Sequence, residues 1–173
     1  MSPRVKALHC ARTVALCALM CAVLEVSKQA LNMIVNVELV SFFTLLFGCY
    51  LGWRTIPATV AFVWIETTIW GFGLWTISYL YLWPLLACLG ILFQKGRSPL
   101  VYALISGFFG LTFGAMCALP YLFLQGWTFA FSWWISGIPY DIIHGVANFI
   151  IALTLWKPMS SAMDRLAARG MLK

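Results

Sequence analysis

The residues best suited to chemistry lie in the segment Gly137-Ile138-Pro139-Tyr140-Asp141-Ile142-Ile143-His144-Gly145-Val146-Ala147-Asn148. Asp141, His144 and Asn148 are spaced i, i+3, i+7, which places their side chains on one helical face. Three uses are open to them. They can bond to neighbouring helices as structural glue, worth about 0.6 to 2 kcal/mol each, they can contact a ligand directly, or they can serve catalysis or a metal. The metal reading is the thinnest, because Asp-x-x-His supplies two ligands where zinc usually takes three or four. The catalytic reading makes the chain an intramembrane enzyme with Asp141 and His144 as acid and base.

Aromatic residues gather around two other segments. Trp70, Phe72, Trp75, Tyr79, Tyr81 and Trp83 surround one predicted loop, and Trp127, Phe129, Phe131, Trp133 and Trp134 fill another. Such residues can form a belt at a membrane interface or line a pocket for a flat organic ligand.

The elements that must hold these groups follow from composition. Of 173 residues, 63% are apolar and 9% are charged, against roughly 25% charged in soluble domains. A soluble reading is excluded. At about 20 residues per crossing, six predicted helices fill a single membrane domain, 1–173, and leave no room for a soluble catalytic or nucleotide-binding domain. They are placed at 8–27, 38–53, 56–70, 77–94, 99–124 and 138–157. Pro139 is expected near the start of the last one, where a missing N–H costs nothing. The first apolar run lacks a small-x-small cleavage site and is read as a retained helix rather than a signal peptide. The six cysteines form no Cys-x-x-Cys pair and are expected to be free thiols.

Charge distribution orients the bundle. Arg4, Lys6, Arg12, Arg54, Lys95, Arg97, Lys157, Arg165, Arg169 and Lys173 fall on one side of the six predicted spans, and Lys28 alone falls on the other. Positive residues mark the cytoplasmic side, so both termini are expected there. The net charge of +6 then reports orientation and not a nucleic-acid surface. Four of the five acids, Glu25, Glu38, Glu66 and Asp141, map to the outer side. Charges in hydrocarbon usually face a bundle interior or a wet cavity, so an outward-opening polar pocket is expected. Of nine tryptophans only Trp53 and Trp156 map to the inner edge, an asymmetry that favours a gated pocket over a simple belt, with Gly71 and Gly73 as hinges. Glu66, Trp70, Trp75, Tyr79, Trp133, Asp141, His144 and Asn148 are its predicted wall.

Two stripes of small residues allow close helix approach. One is Ala7, Ala11, Ala15, Ala18 and Ala22; the other is Ser106, Gly110, Gly114 and Ala118. One stripe suffices for internal packing, so the second raises the prospect of a contact with another protein. The chain has no phosphate-binding Gly-rich loop ending in Lys-Ser or Lys-Thr, no Gly-x-Ser-x-Gly and no His-Glu-x-x-His. Energy for uphill transport would have to come from elsewhere.

In its size, six predicted helices, alanine stripe and the segment Trp133 to Asn148, the chain resembles the substrate-binding S component of an energy-coupling factor (ECF) vitamin transporter, an ABC-type importer. The resemblance implies no enzymatic activity and no cofactor of its own. It implies a vitamin ligand captured at the outer face of a bacterial plasma membrane, and docking through Ala7, Ala11, Ala15, Ala18 and Ala22 onto a membrane T component coupled to two ATPase subunits. The bundle would topple to release its ligand inward. Cobalamin is the leading ligand, from the subgroup resembled, with riboflavin or pantothenate as alternatives.

In a cysteine-free background, cysteines introduced at Ser2 and Lys173 are expected to react with an impermeant maleimide only after the membrane is permeabilised. Labelling of either position in intact cells overturns the orientation.

Overall fold

The computed structural model of the chain describes residues 2–94 and 98–172, and all of its regular structure is helical. The helices are α1 (Pro3–Leu31), α2 (Val40–Leu51), α3 (Thr55–Trp70), α4 (Leu74–Leu92), α5 (Pro99–Cys117), α6 (Leu119–Gln125) and α7 (Trp127–Ala168), with a 3-10 turn at Gly52–Arg54 between α2 and α3. The predicted cytoplasmic cations Lys95, Arg97 and Lys173 lie outside the described residues. The cysteines are free.

Among the described residues five helical stretches are long and apolar enough to cross a membrane: Pro3–Leu31, Val40–Trp70, Leu74–Leu92, Pro99–Gln125 and Trp127–Ala168. The protein is a multi-pass membrane protein. The expected count of six is corrected to five, because the second and third predicted helices are arms of the single stretch Val40–Trp70. At about 1.5 Å per residue the arms are only ~18 and ~24 Å long. Gly52 breaks them with φ 61, a left-handed conformation that favours glycine.

The two arms fold back on each other. Lys28 pairs with Glu66 near the end of α3, and the same lysine lines a cleft with Glu38 and Val40 at the start of α2. The stretch therefore returns to the end of the bundle from which it set out. With this stretch turning back and the other four crossing once, both chain ends lie together: an Arg12 guanidinium nitrogen donates to the Gly170 carbonyl at 2.5 Å, and one from Arg54 donates to the Leu172 carbonyl at 3.0 Å.

The last helix is far longer than 138–157, running for 42 residues from Trp127. Pro139 and Gly137 lie inside it and do not start it. A proline removes one helical hydrogen bond, yet membrane helices tolerate this where neighbours compensate, and α7 packs along α5 more extensively than any other pair of elements. The segment carrying Trp127, Phe129, Phe131, Trp133 and Trp134, expected as a loop, is the first turns of α7. The predicted 99–124 helix is divided at Ala118, where Pro120 opens α6.

The small residues of α5 explain its fit to α7. A Cβ on Gly110 would lie 2.8 Å from the Gly145 Cα, and one on Gly114 would lie 2.4 Å from an Asp141 carboxylate oxygen. Ser106, Gly110, Gly114 and Ala118 are all buried, so this stripe is internal packing. Gly48 and Gly90 make the equivalent contact between α2 and α4. By contrast Ala7, Ala11, Ala15, Ala18 and Ala22 are all exposed. Ala18 and Ala22 also line an apolar groove of about 730 Å³ between α1 and α3.

Gly110→Val is expected to destabilise the protein by about 1 to 3 kcal/mol through overpacking, read as a lower unfolding temperature. Gly137→Ala, whose Cβ meets nothing within 4 Å, should be neutral or stabilising.

Candidate functional site

At the end of the bundle away from Arg12, Arg54 and the C-terminal tail, a polar cleft of about 330 Å³ opens between the 32–38 connection and the helix ends. Its wall includes Lys28 from α1, Glu38 just before α2, Tyr79 and Trp83 from α4, Phe113 from α5 and His144 from α7. Packing places each of them. The close approach of α5 and α7 at Gly110 sets the His144 ring edge-on to Phe113, with centroids 4.9 Å apart. Tyr79 and Trp83, four residues apart on α4, also meet edge-on at 5.4 Å.

Glu38 joins two elements. One carboxylate oxygen accepts the Ser41 N–H at 2.8 Å, which satisfies a first-turn donor of α2 that no helical carbonyl can reach. The other faces His144 Nε2 at 3.2 Å. Burial alone would raise the Glu38 carboxyl, but the bonds to His144 and Ser41 outweigh it and hold the group below the usual glutamate range.

The neighbouring carboxylates are also partnered. Glu66, fully buried, pairs with Lys28, and the Gln29 amide nitrogen donates to Glu25 at 2.8 Å and to Glu66 at 3.4 Å. Asp141 accepts the Gly114 backbone N–H at 2.9 Å in the space that the missing side chain leaves. Above the cleft, Asn36 takes a left-handed backbone (φ 55) and its amide donates to the Tyr140 carbonyl at 3.0 Å, tying the 32–38 connection to α7.

The eight predicted wall residues divide. Tyr79 and His144 line the cleft. Glu66 reaches it through Lys28, and Trp75 stands edge-on behind Tyr79 at 5.3 Å. Asp141, His144 and Asn148 share one buried face of α7 while Tyr140, Ile142, Ile143 and Val146 point outward. Asn148 is 1% exposed and neither polar atom of its amide has a hydrogen-bond partner. Trp70 is 60% exposed, and Trp133 stacks on Tyr121 at 4.9 Å; neither lines the cleft. Asp141 and His144 are not hydrogen-bonded to each other.

Sequence reasoning missed Lys28, Glu38, Trp83 and Phe113 as wall residues. One signal was available: Trp75, Tyr79 and Trp83 are spaced four apart, a single aromatic stripe along a helix. Below the cleft the bundle is filled by Phe42, Leu45, Leu46, Leu82, Leu86 and Trp156, each at most 1% exposed.

No protein-family model matches the chain, and no curated protein or solved structure matches it.

A carboxylate whose folded pKa is depressed adds stability above its unfolded value and loses it as pH falls through the folded value. Glu38→Gln is therefore expected to cost about 1.5 to 3 kcal/mol at pH 7, the range for a charged hydrogen bond. The gap to wild type in unfolding temperature should close as pH falls from the ordinary 4.5 downward.

Proposed function

We propose that the chain is the substrate-binding S component of an ECF-type vitamin importer in a bacterial plasma membrane, with both termini in the cytoplasm. The observation that carries this reading is a polar, aromatic-walled cleft open at one end of the bundle above a packed apolar floor. Such a molecule can capture a solute and has no route of its own to pass it through. Delivery then depends on partners, here a membrane T component and two ATPase subunits. The exposed alanine face of α1 supports the same reading, since its small side chains permit close helix docking. The basic residues at the shared end of the termini support a cytoplasmic placement.

Cleft size bears on the ligand. A volume of about 330 Å³ sits at the low end of small-molecule sites, about 300 to 1,000 Å³. A corrin with its amide arms needs far more space, so a smaller vitamin or vitamin precursor is favoured over cobalamin. The intramembrane-enzyme alternative is less well supported, because Asp141 is held by Gly114 and His144 faces Glu38 instead.

Co-expression with an ECF module is expected to yield a complex that takes up vitamin in an ATP-dependent way. Ala11→Trp or Ala15→Trp should abolish assembly and uptake while leaving ligand binding by the isolated chain intact. His144→Ala should do the reverse, weakening binding about 5-fold to 150-fold, equivalent to roughly 1 to 3 kcal/mol. Turnover of substrate by the isolated chain, or loss of binding in the alanine-face variants, overturns the reading.

A further inference from the structure

The cleft's wall also bears on the charge of what it holds, an argument that rests on the binding-subunit reading above. Glu25, Glu38, Glu66 and Asp141 lie at this end against one lysine and one histidine. Lys28 pairs with Glu66, and Glu38 at the wall is bonded to His144 and the Ser41 N–H. A ligand carboxylate or phosphate entering here would meet a net excess of negative charge, four carboxylates against one ammonium and one imidazole, which is the means by which a site rejects the wrong partner.

The aromatic wall points the same way. Tyr79 meets Trp83 at 78° and Phe113 at 68°, so the rings form a corner and not a flat stack. Ring faces attract cations within about 6 Å of their centroids. One ammonium already obeys this rule: Lys28 Nζ stands 5.5 Å from the Tyr79 centroid and 5.9 Å from that of Phe62. An independent group awaits a partner. Trp83, a wall residue only 3% exposed, has an indole N–H with no acceptor, and buried Trp N–H groups usually find one.

We infer that the ligand is a small organic cation, bearing an ammonium or a quaternised ring nitrogen together with a hydrogen-bond acceptor, held between the Glu38 carboxylate and the faces of Tyr79, Trp83 and Phe113. The acceptor meets the Trp83 indole N–H, and the positive charge lies against Glu38.

Calorimetric titration of the full-length purified chain tests this with thiamine, choline and 1-methylnicotinamide as cations, riboflavin as an uncharged probe and pantothenate as an anion. At least one cation is expected to bind at least 10-fold more tightly than riboflavin and pantothenate. Glu38→Gln and Tyr79→Leu should each weaken that cation at least 10-fold. Unfolding temperatures without ligand establish which variants fold, and Tyr79→Leu alone decides if Glu38→Gln does not. Tightest binding of riboflavin or pantothenate, or cation binding unchanged in the folded variants, overturns the cation inference and leaves the importer reading standing. Binding of no probe by a chain that still assembles with the ECF module also overturns only the inference. Neither binding nor assembly overturns both.

Discussion

Close backbone approach between α5 and α7 is the constraint on which the site depends. In lipid, helices gain little from hiding apolar surface against one another, so association rests on packing, on hydrogen bonds and on small residues that let backbones meet. Gly110 against Gly145 supplies that contact, and Gly114 one turn further leaves the opening that Asp141 occupies. The same geometry brings His144 to the edge of Phe113. On the other side of the bundle Gly48 and Gly90 draw α2 against α4, so the start of α2, carrying Val40, and the Tyr79 and Trp83 rings reach the same cleft.

Charge satisfaction then decides which groups can remain in such a setting. An isolated carboxylate in hydrocarbon would be neutralised or would drag water inward. Each of the four at this end has a partner: Gln29 for Glu25, Ser41 and His144 for Glu38, Lys28 for Glu66, and the Gly114 N–H for Asp141. These bonds also tie elements together, α2 to α7 through Glu38 and α1 to α3 through Lys28. The site is thus part of what holds the bundle in register.

Much of this was legible in the sequence, for reasons that particular residues make plain. Continuous apolar runs gave helices, and the spacing of Asp141, His144 and Asn148 gave their shared face, because helical periodicity is a local property. Punctuation misled where tertiary packing overrode it: Gly137 and Pro139 read as a helix start, yet α7 runs through both because α5 supports it along much of its length. A break between 53 and 56 was expected, but whether the arms on either side of it count as separate spans depends on their length and not on the break. Glu38 was read as an outer acid and omitted from the wall, since its partner, His144, lies 106 positions away. Spacing rules do not reach that far. Trp133 and Trp70 shared the aromatic signal of Tyr79 without its position, because composition does not say which side of a helix faces inward.

The bent stretch from Val40 to Trp70 has a consequence for the surrounding bilayer. Arms of ~18 and ~24 Å meet a hydrocarbon layer of about 30 Å, whereas α1 and α7 are long enough to exceed it. A short flank is accommodated by thinning the lipid or by tilting, at fractions of a kcal/mol for each ångström of mismatch. Half of the bent stretch is buried within the bundle, so the shortfall meets lipid mainly along the exposed face of α3, at Trp64, Ile65, Ile69 and Trp70. Lipid thickness is therefore a variable that acts on the molecule through that face.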